Sequence, residues 1–226
     1  MKRFTSHPEE WGDFLDIKIN AEEVLAKELS KKPKLGTVLI GSVTDAYQPI
    51  EAKYSITRSI IKLLLKCSFP ISILTKSSLV TRDIDLLSQS GNCEVGITIT
   101  TTDECVSRQF EPFASSPKSR LEALAELKSA GIETYAFIGP VLPGFTDLSL
   151  IFEALRNKVD FVMIESLNPR CGNLDSIKDI VRRIKPSAIS YYEDRRTAQQ
   201  RWEQVKKEAQ KLSSKFGIPI KGFYEH

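Results

Sequence analysis

The stretch Thr37-Val38-Leu39-Ile40-Gly41-Ser42-Val43-Thr44, continued by Asp45-Ala46-Tyr47-Gln48-Pro49, decides the fold. Its first half is a near-continuous apolar run, the pattern of a strand buried on both faces and so of a parallel sheet; a strand with one wet face would alternate. Working outward, runs of the same kind recur at 71–74, 95–99, 134–138 and 161–164. Apolar residues at helical spacing fill the gaps, over 55–66, 81–89, 117–130 and 147–158. This alternation predicts right-handed βα units around a parallel sheet or barrel, an α/β fold.

The flanks read differently. Residues 1–19 form a lead-in with aromatic anchors Phe4, Trp11 and Phe14 and a short strand over 16–19. A helix follows over 21–32, with Asn20 as its N-cap and Pro33 as its stop. At the far end, 195–216 predicts a long helix with an apolar stripe of Ala198, Trp202, Val205, Ala209, Leu212 and Phe216. Its basic face, from Arg195, Arg196 and Arg201 to Lys215, lacks interleaved exposed aromatics and reads as a solvated face rather than a nucleic-acid contact. No linker interrupts the chain, so one domain is expected over 1–226: the lead-in over 1–19, βα units over 20–190, and a C-terminal helix over 191–226.

Composition narrows the function classes. Across 226 residues, 41% are apolar and 27% charged, which excludes global disorder. A net charge of +3 is too small to argue for nucleic acid. No apolar run approaches the roughly 20 residues of a membrane span, and Met1–His7 has no apolar core of a signal peptide, so the cytoplasm is the expected compartment. Cys67, Cys93, Cys105 and Cys171 lie far apart and read as free thiols; His7 and His226 sit at opposite ends, which disfavours a histidine triad or a His-rich metal site. No Walker, G-x-G-x-x-G or nucleophile-elbow pattern occurs, so chemistry would fall to a cofactor.

In a parallel βα fold, functional groups gather where strands end. Those ends carry Thr44, Asp45, Tyr47 and Gln48; Thr75, Lys76 and Ser77; Thr98, Thr100, Thr101, Thr102 and Asp103; Gly139 and Pro140; and Glu165 through Arg170. Lys76 can point its ammonium into the mouth, toward a carboxylate or phosphate. Asp45, at the previous strand end, can receive an amino group. Together they would suit a zwitterion such as an amino acid, or equally pair with each other. Thr81 and Asp147 are expected helix caps, and Tyr191-Tyr192 is expected to pack in the core.

The segments Gly41–Glu51, Ile73-Leu74-Thr75-Lys76-Ser77, Val95–Thr101, Phe110-Glu111-Pro112, 117–130, 139–146 and Ser166-Leu167-Asn168-Pro169-Arg170 resemble, in joint order, the radical S-adenosylmethionine (radical SAM) proteins of the spore-photoproduct-lyase type, loosely called DNA repair photolyases. The resemblance implies a partial (β/α)6 barrel that binds S-adenosylmethionine across its strand ends, and a 4Fe-4S cluster that cleaves it reductively to a 5′-deoxyadenosyl radical. It implies that Lys76 contacts the methionine carboxylate and that Thr98 lies near the ribose, with Thr100 also among the cofactor-binding residues. Thr44, Asp45, Tyr47 and Gln48 would lie by the methionyl amino group. The family's C-x3-C-x2-C loop, and the first strand before it, have no counterpart here.

Three explanations follow: an N-terminally truncated radical SAM enzyme, which is favoured; a cluster-free module that binds S-adenosylmethionine or a nucleoside; or a subunit completed by another chain. The expected substrate is nucleic-acid-related or a peptide, with no membrane partner. Without a first strand, the strand over 38–43 would be an open apolar edge that invites self-association or is covered by 1–19.

Overall fold

Each apolar run becomes a parallel strand. The structure, a computed structural model that describes residues 7–9 and 14–226, runs α1 (Ala21–Ser30), β1 (Val38–Ile40), α2 (Glu51–Tyr54), α3 (Ile56–Lys66), β2 (Ile71–Thr75), a 3-10 segment (Ser78–Asp83) leading into α4 (Ile84–Leu87), and β3 (Cys93–Thr98). It continues through α5 (Glu104–Phe110), α6 (Pro117–Ser129), β4 (Glu133–Val141), α7 (Leu148–Ala154), β5 (Phe161–Ser166), α8 (Leu174–Ile184), α9 (Ser190–Glu193), α10 (Arg195–Phe216) and β6 (Ile220–Tyr224). The strands pair in parallel in the order of the chain, and among the described residues the sheet stays open between β6 and β1. This is the partial barrel expected.

Strand alternation assigns the two faces. Ile71, Ile73, Val95, Ile97, Ala136, Ile138, Val162 and Ile164 belong to one buried core with Ile61, Leu64, Leu124, Leu127, Ile151 and Val205 of the crossover helices. The opposite face carries Leu74, Gly96, Tyr135 and Phe161 in one paired row and Thr98, Phe137 and Met163 in the next. Tyr135 stacks on Phe161 and lies over Gly96, where an added Cβ would sit 2.1 Å from the ring. A glycine is therefore what lets this ring lie flat on the sheet. Gly41 ends β1 with φ +95, and a Cβ there would meet the Leu74 carbonyl at 2.1 Å.

Several local expectations change. β1 spans three residues instead of the eight-residue run, because backbone after Ile40 turns away at Gly41. Residues 16–19 do not form a strand; Phe4 and Trp11 lie outside the described residues. Asn20 precedes α1 without a capping side-chain bond. Ser77, not Thr81, caps the segment after β2, whereas Asp147 caps α7 by accepting from the Leu150 N–H. Residues Gly139 and Pro140, expected as a loop, belong to β4. The C-terminal part is more than a helix: Gly217 at φ +67 closes α10, and Ile220–Tyr224 returns as β6 beside β5. The stripe read from the sequence packs as expected, with Trp202, Val205, Ala209 and Leu212 buried.

The free edge of β1 has no strand partner among the described residues, and Leu39 is 50% exposed. Among the described residues, no helix is long and apolar enough to cross a membrane.

Candidate functional site

The strand ends of β2 and β3, with the loops after them and α6, bring together two cations, Lys76 and Arg120, one acid, Glu111, and the hydroxyl of Thr100. Lys76 follows β2 by one residue, on the same side of the sheet as Leu74, and its Nζ lies 2.7 Å from Glu111 Oε1. Lys76 remains 40% exposed while the Glu111 side chain is 8% exposed, so the pair opens to solvent from the lysine side. Thr100 donates to Glu111 Oε1 at 3.1 Å. Behind Glu111 sits Arg120, 1% exposed, whose guanidinium lies 2.7 Å from Glu111 Oε2 without hydrogen-bond alignment. Arg120 also donates to the carbonyls of Ser115 (2.7 Å) and Thr98 (3.0 Å). Burial alone would raise the Glu111 carboxyl; the charges of Lys76 and Arg120 outweigh it and hold the group below the usual range, ionised.

Asp45 plays another part. Its carboxylate accepts from the Tyr47 N–H (2.8 Å), the Thr75 hydroxyl (2.6 Å) and the backbone N–H of Lys76 (2.7 Å). The expected grip across the mouth, with Asp45 facing the Lys76 ammonium, does not form. The reason lies in strand termination. The backbone N–H groups released where β1 and β2 end need acceptors, and a short carboxylate in the neighbouring loop reaches them.

Tyr47 is displaced further: it is 0% exposed and its hydroxyl donates to Asp83 at 3.1 Å. Burial, with the neighbouring Asp83 charge, pushes its phenol far above the ordinary range. Asp83 is itself buried and salt-bridged to Arg58 (2.8 Å) and Arg82 (2.9 Å), while Arg82 also reaches Glu51 (2.9 Å). This network ties the loop after β1 to the segment after β2. Of the remaining expected residues, Thr44 is exposed, Gln48 is half-buried in the same loop, and Thr98 is buried on the row that includes Phe137.

Glu111 and Arg120 were not singled out for a role by sequence reasoning. A signal existed for Arg120: it occupies the buried face of α6 with Ala123, Leu124 and Leu127, where a charge demands a partner. Glu111 lies beyond the C-terminus of α5 and carries no such pattern.

No set of three or more His, Cys, Asp or Glu among the described residues could hold a metal ion. Cys67 caps α3, Cys93 opens β3 at the opposite end of the sheet, Cys105 lies on α5, and Cys171 follows β5. They do not fit an iron–sulfur cluster. The rim does suit the amino-acid end of S-adenosylmethionine, since it offers an exposed ammonium, an ionised carboxylate and hydroxyls within one cluster.

Residues 6–154 match the family pattern described as the Radical SAM superfamily. An uncharacterized protein of Methanocaldococcus jannaschii is 37% identical over 158 residues, covering 70% of this chain and 59% of its own length. A relative from Pseudomonas phage M6, named radical SAM Nalpha-GlyT isomerase, is 27% identical over 144 residues, 62% of this chain and 30% of its own. This chain thus spans less than two thirds of the length of these relatives. Among solved structures, a spore photoproduct lyase variant with bound AdoMet and dinucleoside spore photoproduct superposes with a TM-score of 0.61 at 15% identity, covering 92% of this chain and 68% of that one.

Proposed function

The chain belongs to the radical SAM superfamily, and we propose that it is the S-adenosylmethionine-binding body of a radical SAM enzyme acting on a nucleic-acid-related substrate. The observation that carries this reading is the Lys76–Glu111 pair on the strand-end rim, backed by buried Arg120. When bound with its cluster, S-adenosylmethionine supplies the family's reductive radical chemistry. What this chain's residues do is bind and orient. Lys76 turns from Glu111 toward the ligand carboxylate, and Glu111, kept ionised, takes the ligand ammonium. Thr100, bonded to Glu111, holds that carboxylate in place, and Thr98 and the loop of Thr44 and Gln48 border the ligand. Asp45 and Tyr47 act one step removed, by fixing the β1 and β2 ends through Lys76 N–H and Asp83.

The cluster ligands do not fit among the described cysteines, so in this reading they come from polypeptide beyond this sequence: a longer form of the chain or a partner subunit that also pairs with the open β1 edge. The dinucleoside bound by the structural neighbour supports the substrate class. A cluster-free binding module is the second reading, favoured by the scattered cysteines.

Calorimetric titration of S-adenosylmethionine into this chain tests the rim: binding is expected, weakened at least tenfold by Lys76→Ala. Unchanged affinity in that variant overturns the assignment. Anaerobic reconstitution with iron and sulfide separates the two readings once a candidate partner or longer form is supplied. Stoichiometric iron with brown absorbance supports the enzyme, and its absence supports the module.

A further inference from the structure

A cavity of about 650 Å³ opens where β5 and β6 end, between the loop after β5 and the start of α10. It lies at the same end of the sheet as Lys76 but across the barrel from it, and none of the residues of the cofactor rim lines it. Its size is that of a pocket for a small organic ligand.

The charges around it are unevenly matched. Each acid on the wall is already engaged. Glu193 pairs with Arg182 at 2.5 Å, Asp194 caps α10 through the Thr197 N–H at 2.9 Å, and Glu225 accepts from the Trp202 indole at 3.0 Å. Two cations on the wall are not: the guanidiniums of Arg170 and Arg195 have no acidic or carbonyl partner among the described residues. Tyr191, half-buried on the same wall, has a hydroxyl without a partner there, unlike its neighbour Tyr192, whose hydroxyl donates to the Pro143 carbonyl at 2.9 Å. The cavity wall therefore carries two exposed, unneutralised guanidiniums and one half-buried tyrosine ring.

We propose that Arg170, Arg195 and Tyr191 form the substrate subsite of this domain, binding a phosphate and the adjoining base of a single-stranded nucleic acid. A guanidinium fork matches phosphate oxygens two at a time, and a base stacks on a tyrosine face whatever its sequence. An acidic peptide would satisfy the cations but leave the ring unused. The basic face of α10 thereby divides: its first residue faces the cavity, and Arg196 beside it faces solvent. The inference deepens the radical SAM reading by naming what enters the barrel mouth, and it rests on that reading only in treating the bound strand as substrate.

The test is fluorescence anisotropy of a fluorescein-labelled single-stranded DNA octamer across a salt series. The full chain is expected to bind. Arg170→Ala combined with Arg195→Ala is expected to weaken binding at least tenfold and to flatten the salt dependence by about 0.7 for each phosphate no longer neutralised. Tyr191→Ala is expected to weaken binding severalfold with the salt slope kept, which separates stacking from charge. Arg196→Ala is expected to leave binding unchanged. Lys76→Ala is expected to lose S-adenosylmethionine yet keep the octamer, so failure of the rim and failure of this subsite show separately. The proposal is overturned if the octamer does not bind, if the double variant binds like the parent, if Arg196→Ala weakens binding as much as the double variant, or if an acidic peptide of equal charge competes as well as unlabelled octamer.

Discussion

The Lys76 ammonium sits 2.7 Å from Glu111, and the other oxygen of that carboxylate sits 2.7 Å from Arg120, so one acid is held between an exposed cation and a buried one. The two cations differ in consequence. Lys76 is half-solvated and can swing away, whereas Arg120 has its charge inside the protein and depends on Glu111.

Glu111→Gln should therefore be costly. Removing one partner of a buried pair leaves an uncompensated charge, and the loss is on the order of 3 to 5 kcal/mol. Urea unfolding of the variant should show that drop in stability with an unchanged denaturant slope. A loss below about 1 kcal/mol would mean that the Arg120 charge is adequately solvated by the Ser115 and Thr98 carbonyls and by water.

Acid should act through the same group. Glu111 and Asp83 both have carboxyls held below their ordinary values of 4.5 and 3.8. For Asp83, burial would raise the value, and the hydrogen bonds from Arg82 and Arg58 more than offset it. A lowered folded-state pKa contributes stability that is fully present above the ordinary value and lost as pH falls through the folded one. Thermal melts should hold steady at neutral pH and decline below the ordinary carboxylate range. The Glu111→Gln and Asp83→Asn variants, less stable at neutral pH, should decline less steeply. Equal steepness in all three would assign the acid loss to other groups.

Tyr47→Phe tests whether Tyr47 is structural. It removes one buried hydrogen bond to the ionised Asp83 and should cost about 1.5 to 3 kcal/mol in chemical denaturation. S-adenosylmethionine affinity should stay within twofold of the parent. A tenfold loss of affinity without loss of stability would return Tyr47 to the ligand site.

Gly96→Ala tests the inner face. The new Cβ would lie 2.1 Å from the Tyr135 ring, which must move off its stack on Phe161. Overpacking of this kind costs about 1 to 3 kcal/mol. Pairing the change with Tyr135→Leu should recover part of that loss, since the ring is what collides. No recovery would point to the backbone at residue 96 instead.

Much of the fold was legible because parallel strands are buried in continuous runs. The runs at 71–74, 95–99, 134–138 and 161–164 each became a strand within a few residues. Ile220–Tyr224 was not legible. It contains Lys221 and Gly222, is only half-buried at the sheet edge, and follows a helix whose pattern dominates its surroundings. The rim was legible as a place and only partly as a set of contacts. Lys76 was visible because a lysine directly after an apolar run stands out. Glu111, its partner, lies 35 residues further along, after a short helix, and nothing in local spacing joins the two.

By itself, the chain's order of apolar and polar residues determined a parallel βα sheet, the end of that sheet where polar groups collect, and the lack of a cysteine triplet. These are properties of periodicity and composition, which need no distances. Only the tertiary structure decided that Asp45 serves backbone amides, that Tyr47 is buried on Asp83, and that Glu111 and Arg120 stand behind Lys76. Which acid meets which cation is set by loops that cross between strand ends, and side-chain pairing in three dimensions has no period along the chain.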